Sequence, residues 1–168
     1  MANPVVIQIV GFKNSGKTTL IEAWVKLLDQ YQLSAAVIKH HGHGGPLALP
    51  PEETDSMRAL RAGAVSAIAS TEGMIQLHMQ GMEVHLSELI AMTQLTRPDV
   101  ILIEGYKDAD YPKVVLVREA ADWRELSKLK RIIGVIAHEG VELPGEDVVY
   151  RDDTAAVQQR LYTWINRR

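Results

Sequence analysis

The sequence predicts an α/β protein in three layers, with helices packed on a mainly parallel sheet and a β-hairpin as an extension. Three observations predict it. Short, β-branched apolar runs alternate with stretches of helical periodicity along most of the chain. The first run ends at a glycine and leads through a short turn straight into an amphipathic helix, the opening of a parallel strand–helix–strand unit. In the middle, two apolar segments flank a Gln-Gly pair and read as a hairpin.

Taken in order, Val5 to Val10 is a mostly apolar strand that ends at Gly11, as expected of a central parallel strand. The helix that follows places Leu20, Ile21, Trp24, Leu27, Leu28 and Tyr31 on one stripe by i, i+3, i+4 spacing. Ala35 to Lys39 reads as a second buried strand, followed from His40 to about Glu53 by a loop rich in Gly, His and Pro. Thr54 or Asp55 is suited to cap a short helix carrying Met57 and Leu60, with Gly63 at its C-terminal end. Ala64 to Ala69 is a further strand, and Met74 to Met79 with Met82 to Leu86 form the expected hairpin around Gln80-Gly81. Leu86, Leu89, Ile90 and Leu95 mark a helix, which Pro98 stops before the apolar strand Val100 to Ile103. Lys113 to Val117 and Ile132 to Ala137 are two more strands, separated by a helix around Trp123, Leu126 and Leu129. A last helix from near Asp153 buries Val157, Leu161, Trp164 and Ile165. No repeat, low-complexity tract or linker interrupts the 168 residues, so a single domain is expected over 1–168.

Composition excludes several functions. With 46% hydrophobic and 23% charged residues the balance is that of a globular protein. A formal net charge of -3 gives no global reason to expect nucleic acid or an anionic membrane as partner. The chain has no cysteine, which rules out disulfides, thiolate metal sites and thiol catalysis. No apolar run approaches the roughly 20 residues that cross a bilayer, and no signal-like core opens the sequence. A cytoplasmic location is therefore expected.

The chemistry is concentrated at Gly11-Phe12-Lys13-Asn14-Ser15-Gly16-Lys17-Thr18. Glycine, four residues, then Gly-Lys-Thr is the P-loop pattern, set here between a strand and a helix as its function requires. Glycines let successive backbone N–H groups curl around one anion, and the helix start adds a favourable field. Lys17 is placed to reach β- and γ-phosphates, the Thr18 hydroxyl to ligate Mg²⁺, and Thr19 to approach the α-phosphate. The fold expectation sharpens accordingly to that of the P-loop NTPases.

A second carboxylate beside the metal is expected at the end of another buried strand. Glu104 fits, carried there by Val100-Ile101-Leu102-Ile103, while Asp99 falls at the strand's opposite end. A solvated strand-end carboxylate is the plain alternative. Asp55 is another metal candidate, though an N-cap role would also account for it. His40, His41 and His43 follow the second strand, where imidazoles can touch a phosphate or ligand, hold a transition metal, or simply line a polar loop. Lys107, after Gly105-Tyr106, can approach phosphates or another anion. Lys113 and Arg118 flank a strand, where solvation alone would account for them. Met74, Met79, Met82 and Met92 suit core or interface packing, and a homodimer would cover an exposed hairpin edge.

Together the residues resemble the MobB family, the molybdopterin-guanine dinucleotide biosynthesis adapter proteins. The likeness rests on the P-loop at 11–18, Ile38-Lys39-His40-His41-Gly42-His43, Asp55-Ser56 with Arg61-Ala62-Gly63-Ala64, and Ile103-Glu104-Gly105-Tyr106-Lys107 leading to Pro112-Lys113. The resemblance implies a dimeric GTP- and Mg²⁺-binding protein with weak GTPase activity, assisting the guanylyltransferase MobA in making or delivering a molybdopterin cofactor. It places the nucleotide on Gly11, Lys13, Asn14, Ser15, Gly16, Lys17, Thr18 and Thr19, with Lys17 and Glu104 as the catalytic candidates. His40, His43, Asp55 and Lys107 are further motif positions. The sequence departs from related nucleotide-binding proteins twice. Phe12 stands where that class often has a signature lysine, and Ala137-His138-Glu139-Gly140 stands where an Asn-Lys-x-Asp guanine-reading motif would. A nickel-type metallochaperone GTPase is the alternative suggested by the histidines, disfavoured by the lack of cysteine. A small-molecule kinase would need an arginine-rich lid, and no such cluster is visible.

Overall fold

The structure, a computed structural model, describes residues 3–42 and 47–166. Its contacts divide the chain into two compact units, Met1–Gly42 with Leu86–Arg168 and the intervening His43–His85.

The first unit holds a six-stranded parallel sheet: β1 (Val5–Val10), β2 (Ala35–Lys39), β5 (Val100–Glu104), β6 (Lys113–Val117), β7 (Ile132–Ala137) and β8 (Val148–Tyr150), in the order β2-β5-β1-β6-β7-β8. Every residue of β5 and β6 is buried, which explains their unbroken apolar composition. Side-chain alternation divides the core between the two faces. Ile7 and Ile9 of β1, Val100 and Leu102 of β5, and Val114 and Leu116 of β6 pack with α1 (Lys17–Gln30) and α5 (Thr154–Ile165). Trp24 and Trp164 meet edge to face there, with ring centroids 5.8 Å apart. A side chain at Gly134 would collide with Trp164, so β7 needs glycine where that indole lies on it. On the other face, Ile38, Ile101 and Ile103 pack with Leu86 and Ile90 of α3 (Leu86–Thr93), while Val10, Val115 and Val117 pack with Leu126 of α4 (Ala120–Leu126). These are the three layers anticipated.

The second unit contains α2 (Asp55–Arg61) and a two-stranded antiparallel sheet of β3 (Ser66–Thr71) and β4 (Met74–Met79). A hairpin is present, but not the one expected. Thr71 pairs with Met74 across Glu72-Gly73, with Gly73 at φ 83°, whereas 82–85 form no strand. Gln80 ends β4 because its amide donates to the carbonyls of Leu60 and Ala64. Two further expectations are corrected. Leu95 lies in a 3₁₀ turn after α3 and is exposed, and Tyr31 is half exposed, stacked edgewise on Tyr162. β8, only three residues long, was not anticipated.

Candidate functional site

β1 delivers Gly11 to the C-terminal edge of the sheet, with strands on both sides. This edge is where ligands of open α/β sheets bind. A Cβ built on Gly11 would stand 2.6 Å from Ser15 Oγ and 2.7 Å from the Leu116 carbonyl, so the loop can pack against β6 only with glycine there. Asn14 and Gly16 adopt positive φ (62° and 86°), and the Ser15 N–H donates to the Phe12 carbonyl at 3.2 Å. The chain thus curls tightly before α1, whose N-terminus carries no side-chain cap. First-turn N–H groups without helical acceptors are the donors an anion needs. Ser15 Oγ, in a residue only 1% exposed, also has no hydrogen-bond partner among the described residues.

Lys17 folds back over the loop, donating to the carbonyls of Gly11 (2.9 Å) and Phe12 (2.8 Å). Burial lowers its pKa, and the charges of Lys39 and Arg118 lower it further, against an opposing effect of Glu104. Glu104, 9% exposed at the end of β5, accepts a hydrogen bond from Thr18 Oγ1 at 3.0 Å. Strand parity brings them together: Glu104 projects on the same face as Leu102, where α1 packs, and Thr18 opens that helix. Oxygens sharing one octahedral Mg²⁺ at about 2.1 Å lie about 3 Å apart. The Thr18–Glu104 pair therefore fits neighbouring positions around that ion. Lys39 completes the group, with its ammonium 3.2 Å from Thr18 Oγ1 and 3.3 Å from Glu104 Oε2.

The other candidates fall into place around this centre or away from it. Lys13, Asn14 and Thr19 are exposed on the loop and first turn. His40 donates its N–H to the Glu104 carbonyl at 2.9 Å, and its ring stacks on Tyr106 with centroids 4.4 Å apart. Lys107 is exposed in the turn after β5. Asp55 belongs to the second unit, where its fully exposed carboxylate lies 3.6 Å from Arg58; the N-cap position is Thr54. His43 lies outside the described residues. Asp99 sits at the opposite strand end, as expected, accepting from the Ser34 N–H and hydroxyl.

Lys113 and Arg118 are not solvated flanks. Lys113, 1% exposed, donates to Gln8 Oε1 (2.8 Å) and to the carbonyls of Tyr111 (3.0 Å) and Ala109. Gln8 in turn donates to the carbonyls of Gly105 and Tyr106, so a buried polar network fixes the turn behind Glu104. Burial lowers the Lys113 pKa. Arg118 binds both carboxylate oxygens of Asp122 (2.8 Å each), reaches the Lys13 carbonyl at 3.0 Å and lies over the Phe12 ring. Arg151, following β8, places its guanidinium against Gly16, only 2.4 Å from where a Cβ would stand. Lys39, Arg118 and Arg151 converge from β2, β6 and β8, an adjacency that local sequence does not state and that sheet order reveals.

A curled glycine loop between β1 and α1, a conjoined Lys-Thr pair and an acidic residue closing the neighbouring strand define the class: this is a P-loop NTPase-like α/β protein. The family sequence model described as molybdopterin guanine dinucleotide synthesis protein B matches residues 6–138, and the chain belongs to this MobB family. A Bacillus subtilis relative, "Probable molybdopterin-guanine dinucleotide biosynthesis adapter protein", is 37% identical over 155 residues, covering 90% of this chain and 88% of the relative. The Haemophilus influenzae molybdopterin-guanine dinucleotide biosynthesis adapter protein is 32% identical over 68% of this chain and 64% of its own length. Among solved structures, a MobB homolog from Bacillus stearothermophilus superposes with TM-score 0.79 at 34% identity, covering 97% of this chain and 99% of that one.

Proposed function

We propose that the chain is a GTP-binding adapter in molybdopterin guanine dinucleotide biosynthesis, with weak GTPase activity. The observation that carries the nucleotide reading is the Thr18–Glu104 contact at 3.0 Å beside the Lys17 ammonium, all at the mouth of the curled loop. The loop amides and the α1 N-terminus would hold the phosphates, with Lys17 on the β- and γ-oxygens. Thr18 and Glu104 would hold Mg²⁺, which when bound neutralises charge on those phosphates. Slow turnover is expected of the chain alone, since the charge-stabilising part of such sites is often supplied by a partner and Phe12 offers none. The names of the relatives support the pathway, with MobA and molybdopterin as the proposed partners and the cytoplasm as the proposed location. Among the described residues no helix is long and apolar enough to cross a membrane. A homodimer is part of the proposal.

The test is a separate titration of GTP, ATP and molybdopterin into the purified chain, with and without Mg²⁺. GTP binding strengthened by Mg²⁺ is expected; a preference for ATP would overturn the GTP-dependent adapter reading.

A further inference from the structure

The register of the sheet pairs Lys39 at the end of β2 with Glu104 at the end of β5. Residues paired in this way project from the same face, so Lys39 is directed toward the α1 side, where Thr18 stands. The result is a near-equilateral triangle: Thr18 Oγ1 to Glu104 Oε2 is 3.0 Å, and the Lys39 ammonium is 3.2 Å from the first and 3.3 Å from the second. The lysine thus occupies the neighbourhood in which these two oxygens would take a divalent cation. An ammonium and Mg²⁺ cannot share that pair, because two positive centres would stand within a few ångströms of each other.

Lys39 is built to yield. Its side chain is about half exposed (52%), and its four-carbon stem carries a compact, freely reorienting charge. What it would yield to is fixed by geometry. Oxygens bound to one Mg²⁺ lie about 3 Å apart, so a phosphate oxygen sharing the metal with Thr18 would come within the sphere that the Lys39 ammonium already occupies around Thr18 Oγ1. Lys17 is turned toward the Gly11 and Phe12 carbonyls, whereas Lys39 rests on Thr18 and Glu104, so a second cation stands beside the metal-ligand pair.

Resting on the nucleotide reading above, the geometry points to Lys39 as the residue that distinguishes a triphosphate from a diphosphate: its ammonium leaves Thr18 and Glu104 when Mg²⁺ binds them and closes on the terminal phosphate. With a diphosphate the displaced ammonium has no γ-phosphate to bind. The preference for triphosphate therefore depends on both Lys39 and the metal. A lysine that only held Glu104 in place would affect both nucleotides alike.

The experiment measures dissociation constants of guanosine and adenosine tri- and diphosphates for the full chain and for Lys39→Met and Lys39→Arg, in Mg²⁺ and in chelator. Thermal melting checks that each variant is folded. In Mg²⁺, Lys39→Met is expected to lose about tenfold in the triphosphate-to-diphosphate affinity ratio, the scale of one charge-assisted contact. Lys39→Arg should retain most of that ratio. In chelator, wild type and Lys39→Met should share one ratio. An unchanged ratio for folded Lys39→Met in Mg²⁺ overturns the inference alone, and so does an equal loss in chelator. A wild-type chain that binds none of the four nucleotides removes both the nucleotide reading and this inference.

Discussion

At the residue scale, two positions test the proposed phosphate cradle from opposite sides. Lys17 supplies a charge and Gly11 supplies the lack of a side chain. Lys17→Ala removes the ammonium now resting on the Gly11 and Phe12 carbonyls. A hydrogen bond from a charged group contributes about 1.5–3 kcal/mol, so triphosphate affinity should fall about 10- to 100-fold with the melting temperature little changed. Isothermal titration beside a thermal melt separates the two effects, and undiminished affinity would remove Lys17 from the site. Gly11→Ala should damage both fold and binding. Its methyl would meet Ser15 Oγ at 2.6 Å and the Leu116 carbonyl at 2.7 Å, and backbone of a buried strand cannot give way cheaply; overpacking of this kind costs about 1–3 kcal/mol. Sequence spacing alone singled out Gly11, Lys17, Thr18 and Glu104 as candidates, because each has a fixed place in a local pattern or at a strand end. It could not identify Lys39, Arg118 or Arg151. Lys39 falls in a block that carries the family likeness, but its place beside Thr18 and Glu104, like the positions of Arg118 and Arg151, depends on which strands become neighbours.

At the element scale, two buried polar contacts tie strand ends to the loops of the site. The first joins β6 to α4. Asp122, buried in the first turn of α4, accepts from the Arg118 N–H and guanidinium, and that hydrogen bonding holds its carboxyl below the usual range against the opposing effect of burial. A carboxyl lower in the folded than in the unfolded chain adds stability that is fully present above its unfolded value, about 3.9. That stability is lost as pH falls through the folded value. Asp122→Asn should therefore cost about 1–3 kcal/mol at neutral pH, and the gap to wild type should narrow as pH drops below about 4. Urea midpoints across that range decide it; a gap independent of pH would mean that charge plays no part. The second contact is Lys113 with Gln8. Lys113→Met strands Gln8 Oε1 as a buried acceptor, at about 1–3 kcal/mol, and removes the partner of the part-buried Tyr111 carbonyl. Adding Gln8→Leu should recover part of that loss in chemical unfolding, since it removes one stranded group; strictly additive losses would show the pair to be uncoupled. Elements themselves were legible wherever length and pattern were generous, as in α1, β5 and α5. β8 was not, since three residues carry no periodicity. The hairpin was displaced because Glu72-Gly73 and Gln80-Gly81 both offer a turn glycine. Only the cross-strand partners, Ile68 with Leu77 and Ser70 with Ile75, settle the register.

At the scale of the whole molecule, the parallel sheet and its helices bury their apolar faces within the first unit, whereas the hairpin of the second does not. The register Ser66–Met79, Ile68–Leu77 and Ser70–Ile75 gathers Ile68, Ile75, Leu77 and Met79 on one face of the two-stranded sheet. All four are exposed, Ile68 at 67% and Ile75 at 72%. A lone hairpin is marginal in water, and clustered exposed apolar side chains mark a surface awaiting cover. A second copy of the chain would bring an identical face, and a twofold arrangement lets each hairpin cover the other. Of the methionines read from sequence as core or interface residues, Met79 lies on this face, Met74 and Met82 are exposed elsewhere, and Met92 is half-buried. The wild-type chain should therefore run as a dimer at micromolar concentration. The double variant Ile75→Glu and Leu77→Glu should run as a monomer, because burying two like charges against their symmetry mates is costly. Nucleotide affinity is the second readout, and it should survive, because neither residue belongs to the loop or to the strand ends that form the cradle. Light scattering of both proteins measures the masses directly. A wild-type mass of one chain would refute the dimer, and a dimeric double variant would move the interface away from this face.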